Sequence, residues 1–135
     1  LGRWSRGLGD VYKRQIPAFG IQTQIPEGWT RIAPEYFVSP DTTIELVVKE
    51  KTDEPVEDFL KTWGAADPVG GFDTHGLNWT TYAYEMPEHK AAGYIGTAPS
   101  ENGFFLVLIV TTIDQQTKLY ESVFLPVVQG LETLD

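Results

Sequence analysis

The 135-residue chain has no cysteine, two histidines and a single methionine. Without cysteine it can form neither a disulfide nor a thiolate metal site, and it has no cysteine nucleophile. Basic residues are scarce: 10 Lys and Arg stand against 19 Asp and Glu, a formal net charge of -9. Nucleic acid and anionic membrane surfaces both require a basic footprint, so neither is expected as a partner. No apolar run reaches membrane-spanning length, and there is no low-complexity segment and no internal repeat. No serine falls in G-x-S-x-G or S-x-x-K, the settings that expose or activate a nucleophile; Ser39 and Ser100 read as turn residues and Ser122 as a helix residue. Glycine-rich Pro68–Phe72 lacks G-x-G-x-x-G and has no following Lys-Ser/Thr, so it does not read as a phosphate loop. These absences leave no catalytic residue, metal ligand set or cofactor to assign.

What is present is material for a core. The chain is 41% hydrophobic and 13% aromatic, enough at this length to bury a sizeable interior. The longest unbroken apolar run is Phe104–Thr112, rich in β-branched and aromatic residues. It is too short to span a membrane as a helix. It reads as a strand buried on both faces, central in a sheet covered by helices.

The first fifteen residues differ from the rest. Leu1–Gln15 carries Arg3, Arg6, Lys13 and Arg14 against the single acid Asp10, whereas the remainder holds 6 basic and 18 acidic residues. Ser5–Gln15 resembles, residue for residue, the translation of a transposon-type sequencing adapter. Residues 1–15 are therefore expected to be a disordered library artefact, and residues 16–135 a single α+β domain. The natural N-terminus, with any signal peptide, lipid anchor or fused upstream domain, would then lie beyond the chain. The rival reading of the same stretch is a basic arm that binds an acidic partner.

Along the chain, Gly20–Ile25 alternates as a half-buried strand, and Pro26-Glu-Gly-Trp29 forces a turn that lets Trp29 fold onto the core. Tyr36–Val38 and Thr42–Lys49 make a hairpin around Ser39-Pro-Asp41. Thr52 or Asp53 is placed to cap a helix of about ten residues, with Val56, Phe59, Leu60 and Trp63 at i, i+3, i+4, i+7 and Gly64 ending it. Ala65–Gly76, with Pro68, Gly70, Gly71 and Gly76, reads as a loop. Leu77–Met86, Ala91–Ala98 and Phe104–Thr112 form a meander, joined by Pro87–Lys90 and by an Asn-Gly turn in Pro99–Gly103. Gly93 and Gly96 inside a strand imply a bulge or a large neighbour packed close. Thr112 or Asp114 caps a final helix with a broad apolar stripe from Leu119 to Leu131, broken or kinked near Leu125 by Pro126. The fold class is α+β: an antiparallel sheet of about six strands flanked by helices.

Candidate chemistry is sparse. Asp73 and His75 could supply two metal ligands, but no third follows at recognisable spacing; His89 reads as a solvated hairpin tip. Asp53, Glu54, Glu57 and Asp58 sit at a helix start, where they complement the dipole. Tyr82 and Tyr84 share one face of their strand and Trp79 takes the other. Trp63, Trp79, Tyr82 and Tyr84 are the residues from which a ligand or partner surface would be drawn, the alternative being core packing.

The order of elements resembles the PsbP-like fold, shared with the nuclear-import factor Mog and with small bacterial secreted or lipoprotein domains. The resembling pieces are Ile25-Pro-Glu-Gly-Trp29, Phe37–Asp41 leading into Ile44–Val48, the helix to Trp63, and Phe104–Thr112 leading into the final helix. The resemblance implies a sheet between helical layers and an extracytoplasmic, non-catalytic accessory or binding protein, its partner a protein or small molecule. A narrower resemblance, carried by Pro26–Trp29, Ser39–Asp41 and Leu119-Tyr120 to Pro126, is to domains adjoining β-lactamase-like serine hydrolases; this chain departs from it in having Thr42 where a turn glycine would fall. A small enzyme using carboxylates or the Asp73/His75 region is the remaining alternative.

Overall fold

Phe104–Thr111 is the middle strand of a seven-stranded antiparallel sheet, as its two-sided apolar pattern requires. The computed structural model describes residues 11–65 and 67–134. In chain order the strands are β1 Val11–Ile16, β2 Ile21–Pro26, β3 Thr30–Ala33, β4 Tyr36–Val38, β5 Glu45–Lys51, β6 Pro68–Thr74, β7 Leu77–Met86, β8 Ala91–Pro99, β9 Phe104–Thr111 and β10 Glu132–Thr133. The large sheet runs β3-β4-β5-β9-β8-β7-β6, and β1-β2-β10 form a small second sheet. Its neighbours are β5, where Leu46 opposes Ile109, and β8, where Tyr94 opposes Ile109.

Two apolar clusters follow from this placement. Phe105, Val107 and Ile109 project to one face, with Trp29, Phe37, Trp79, Phe124 and Val128; β2 and the C-terminal helical segment cover them. Phe104, Leu106 and Leu108 project to the other, with Phe59, Tyr84 and Ile95, under helix α1 (Val56–Thr62). A sheet with helical elements on both faces is the α+β architecture the segregated strands imply.

Several local expectations are revised. Pro68–Thr74, expected within a loop, is instead β6, paired to β7 with an irregularity between Pro68 and Gly70. Pro and bulges are tolerated on an edge strand, where one side of the backbone has no ladder to complete. His75 and Gly76 both have positive φ, 51° and 77°, the two-residue geometry that matches the twist of a tight hairpin. Strand β3 was not anticipated, because all of Thr30–Ile32 is exposed and leaves no alternation. Helix α1 is seven residues long, and Pro55 rather than Thr52 or Asp53 stands at its N-cap. Lys51 takes Asp53 and Glu54 instead, at 2.9 and 3.2 Å. Thr112 does stand at an N-cap, but of a 3-10 turn, without a side-chain cap bond.

The closing helix is segmented into α2 (Gln116–Leu119), a π-helical turn (Tyr120–Phe124) and α3 (Leu125–Gly130). The break expected near Leu125 falls where the π turn gives way to α3. Proline has no N–H and collides with the carbonyl four residues back. Widening the preceding turn restarts the helix with Pro126 in a first turn, where its missing donor costs little.

Val11–Gln15 also departs from expectation. Leu1–Asp10 lies outside the described residues, but Val11–Gln15 belongs to β1 and pairs with β2 from Val11↔Pro26 to Ile16↔Ile21. Main-chain pairing depends little on side-chain identity, so an adapter-like sequence can still complete an edge.

The turn 39–43 carries two predictions. Thr42 has φ 65°, the left-handed region that a β-branched residue adopts only under constraint. Its N–H is held by the Ser39 carbonyl at 2.9 Å. Thr42→Gly should relieve the strain and, net of added freedom in the unfolded chain, stabilise by about 0.5–1 kcal/mol. A thermal midpoint that falls in this variant would refute the strain assignment. Next to it, Asp41 Oδ1 accepts from the Thr43 N–H, Ser39 Oγ and Thr43 Oγ1 at 3.1, 2.8 and 2.8 Å, and these bonds, the Thr43 backbone first, hold its carboxyl below the ordinary value. Asp53 is lowered chiefly by its bond to Lys51, and Glu132 by Gln22 and then Lys13. A carboxylate depressed in the folded state stabilises above its unfolded pKa of about 4 and loses that contribution as pH falls through the folded value. The thermal midpoint should therefore decline on acidification below about pH 4, and Asp41→Asn should show a shallower decline. An unchanged acid slope in Asp41→Asn counts against the role of this turn.

Candidate functional site

Strand β7 distributes its aromatics by simple alternation. Trp79 and Ala83 join the cluster beneath α2 and α3; Tyr82 and Tyr84 join the cluster beneath α1. Trp79 is 1% exposed, so it belongs to the core and cannot line a surface. The four aromatics thus do not converge on one site.

Tyr84 is 2% exposed and serves the fold as well. Its hydroxyl donates to the Ile109 carbonyl at 2.9 Å, spanning β8 at Gly93, which opposes Tyr84 in the ladder. Burial, with a smaller contribution from Glu45, pushes this phenol far above its ordinary pKa. Half-buried Trp63, at the C-cap of α1, meets Tyr84 edge-on with ring centroids 5.2 Å apart and lies 5.9 Å from Phe59. Trp63 therefore ties α1 to the sheet.

Tyr82 is the member with access. It is half-buried and borders two grooves on the α1 face. One, of about 340 Å³, runs between the N-terminal end of α1 and β7–β8, past Glu54, Pro55, Val56, Thr80 and Pro99. The other, of about 410 Å³, lies beyond the C-terminal end of α1, past Glu57, Leu60, Lys61, Gly64 and Pro68. A seven-residue helix cannot cover this face of a seven-stranded sheet, so the sheet is left open around the middle of β7.

The other candidate chemistry is separated. Asp73 Oδ1 accepts from Asn78 Nδ2 at 2.6 Å across the β6–β7 hairpin, and His75 Nδ1 stands 3.9 Å from Glu132 Oε1. Among the described residues no group of three or more His, Cys, Asp or Glu is placed to hold a metal ion. His89 is exposed on the 3-10 turn Pro87–His89.

One feature of the opposite face was missed in the sequence. Tyr94 and Tyr120 lie 4.9 Å apart, Tyr120 stacks on Phe124 at 5.7 Å, and the Tyr120 and Thr81 hydroxyls are 3.1 Å apart. They flank a groove of about 610 Å³ that also meets Val69, Lys118 and Glu121. The helical stripe included Tyr120, but only the packing of the closing helical segment on β8 brings it against Tyr94. These rings are engaged mainly with one another.

No family model matches the chain, and no curated protein matches it. Among solved structures, it is similar to the solution structure of cyanobacterial PsbP (CyanoP) from Synechocystis sp. PCC 6803, with a TM-score of 0.57 and 15% identity over 98% of this chain and 96% of that one. The fold is PsbP-like. At this identity the likeness is one of fold alone. Within the PsbP-like frame, the motifs that carried the resemblance prove structural. Trp29 is 6% exposed, Ser39 Oγ accepts from the Ile44 N–H at 3.1 Å, and Leu119 is buried. Among the described residues no helix is long and apolar enough to cross a membrane.

Proposed function

We propose that this PsbP-like chain is a non-catalytic binding or accessory domain of an extracytoplasmic bacterial protein, presenting the open sheet surface around Tyr82. The observation that carries the reading is the pair of grooves meeting at Tyr82 beside a helix too short to cover its sheet. Trp63 and Tyr84 support the surface from beneath rather than contact a ligand. The fold likeness to cyanobacterial PsbP supports the accessory reading without specifying a partner. Residues of the narrower hydrolase-like texture are accounted for by turn and core, so that alternative gains nothing from the structure. The Asp73/His75 enzyme reading gains nothing either, because Asp73 is engaged by Asn78.

Two measurements test the proposal. The uninterrupted genomic reading frame upstream of Ile16 should encode a signal peptide; a cytosolic start would overturn the location. For the surface, titration with the apolar dye anilinonaphthalene sulfonate should show binding that Tyr82→Ala weakens about fivefold or more while the thermal midpoint moves little. Dye binding lost in Tyr120→Ala and kept in Tyr82→Ala would move the site to the opposite face.

A further inference from the structure

The seven-stranded sheet ends at β6, and β6 keeps one side of its backbone open. Thr74 and Leu77 flank the two-residue turn of His75 and Gly76 and oppose one another in the ladder. Residues that close such a turn exchange both main-chain bonds. Alternation from Thr74 then turns the N–H and C=O of Phe72 and Gly70 toward β7, and those of Asp73 and Gly71 outward. Among the described residues, no main-chain group outside that ladder bonds to Gly71 or Asp73. The side chains alternate between faces as well. Exposed Gly71 and Asp73 oppose Thr80 and Asn78, which border the groove with Tyr82 on the α1 face. Half-buried Phe72 opposes Trp79 on the other face.

The two ends of the sheet are not equivalent. Strand β3, at the other end, is four residues long, and its Arg31 guanidinium donates to the Gln15 carbonyl at 2.8 Å. On β6 the proline and the irregularity fall within 68–70, so residues 71–74 keep a regular register. Their side chains define what fits beside them. Gly71 leaves the sheet surface bare next to Thr80, room that a cross-strand aromatic ring fills. Phe72 is a half-buried ring packed at the margin of the core, which an apolar neighbour covers further. Asp73 places a carboxylate at the edge of a chain of formal net charge -9, which favours a cation opposite it. The same net charge repels a second copy of this chain.

We propose that the outer edge of β6 at residues 71–74 is a docking site for an extended, basic segment of a partner protein, added antiparallel as a further strand of the sheet. From its N-terminal end the segment carries a Lys or Arg opposite Asp73, an apolar residue opposite Phe72 and an aromatic residue opposite Gly71. Main-chain bonds to Gly71 and Asp73 supply the pairing, and side chains on alternate faces supply the choice of partner. The first and third of those side chains fall on the α1 face, extending the surface around Tyr82 and resting on its reading as a binding face.

The test is a titration of the full, isotope-labelled chain with an acetylated and amidated peptide, Thr-Lys-Val-Tyr-Thr, read by amide hydrogen exchange. Without peptide, the outward Gly71 and Asp73 amides should exchange about tenfold or more faster than the inward Phe72 amide. At about 1 mM peptide, exchange at Gly71 and Asp73 should slow about fivefold or more. A peptide with Glu in place of Lys should bind about fivefold or more weakly. Asp73→Pro removes an outward N–H and no ladder bond, so its thermal midpoint should move by less than about 4 °C while binding falls about tenfold or more. Asp73→Asn keeps the N–H and should weaken binding about threefold, which carries the test if the proline variant does not fold. Unslowed exchange at Gly71 and Asp73, binding retained by folded Asp73→Pro, or equal binding of the Glu peptide overturns the proposal. The surface around Tyr82 stands or falls separately, on the dye titration of Tyr82→Ala.

Discussion

Ile109→Asn is expected to leave the protein unfolded at 37 °C. Ile109 is fully buried at the centre of the central strand, between Leu46 of β5 and Tyr94 of β8. Its side chain belongs to the cluster that includes Phe124, Val127 and Val128. Asparagine removes apolar volume and leaves a cavity, which costs about 2–4 kcal/mol, and it buries an amide with no designated partner, which costs about 1–3 kcal/mol more. Together these approach the whole stability of a domain of this size, about 5–15 kcal/mol. Circular dichroism and urea unfolding are the measurements. A cooperative transition with a near-normal midpoint would contradict the central-strand assignment. Ile109→Val is the control and should cost only about 0.5–1.5 kcal/mol.

Gly93→Ala is expected to destabilise by about 3–4 kcal/mol, an effect out of proportion to one methyl group. In most strand positions glycine weakens a sheet, and alanine would be a gain. Here the space that a Cβ would occupy is already filled by the Ile109 carbonyl oxygen, and the Tyr84 hydroxyl would stand 2.8 Å away. That carbonyl accepts the Tyr84 hydroxyl from two strands away, across the glycine. Gln116, 8% exposed, locks the same point from the other face, its amide donating to the carbonyls of Tyr84 and Gly93 at 3.0 and 2.9 Å. Alanine must push β8 off β9 or expel the tyrosine hydroxyl, leaving a buried acceptor unpaired. Tyr84→Phe isolates the hydrogen bond and should cost about 1–2 kcal/mol. If Gly93→Ala proves neutral and its β8–β9 amides keep their protection from exchange, the close approach is not a structural requirement.

Both predictions concern the sheet, and the sheet was the legible part of the sequence. The run Phe104–Thr111 announces a two-sided strand by composition, and Ile44, Leu46 and Val48 announce a one-sided one by alternation. The glycines of β8 announce close packing, and Gly96 indeed faces Phe124, Val128 and Trp79. Strand β6 was not legible for a physical reason. Glycine and proline are read as breakers, but on an edge strand they break nothing, because half of the backbone groups need no partner. Strand β3 was hidden by exposure: its residues are held by main-chain pairing to β4, and one of them, Arg31, lies over the Phe37 ring at 5.0 Å.

The candidate surface was legible only in part. Period-two alternation correctly put Tyr82 and Tyr84 on one face and Trp79 on the other. It could not say which of these faces a helix covers, because helix length, crossing and position are set by contacts distant in sequence. Tyr84 and Trp63 look alike in sequence to Tyr82, yet they fill the space under α1 while Tyr82 stands at its margin.

By itself, then, the sequence determined the α+β class, the central strand and its meander, the hairpin of β4 and β5, and the amphipathic faces of the helices. These follow from local patterning that has one packing solution. Only the tertiary structure decided the pairing of β1 with β2, the edge role of β6 and the opening around Tyr82. Each of those depends on which backbone edges and sheet faces remain uncovered once the rest of the chain has packed, and no local window of residues contains that information.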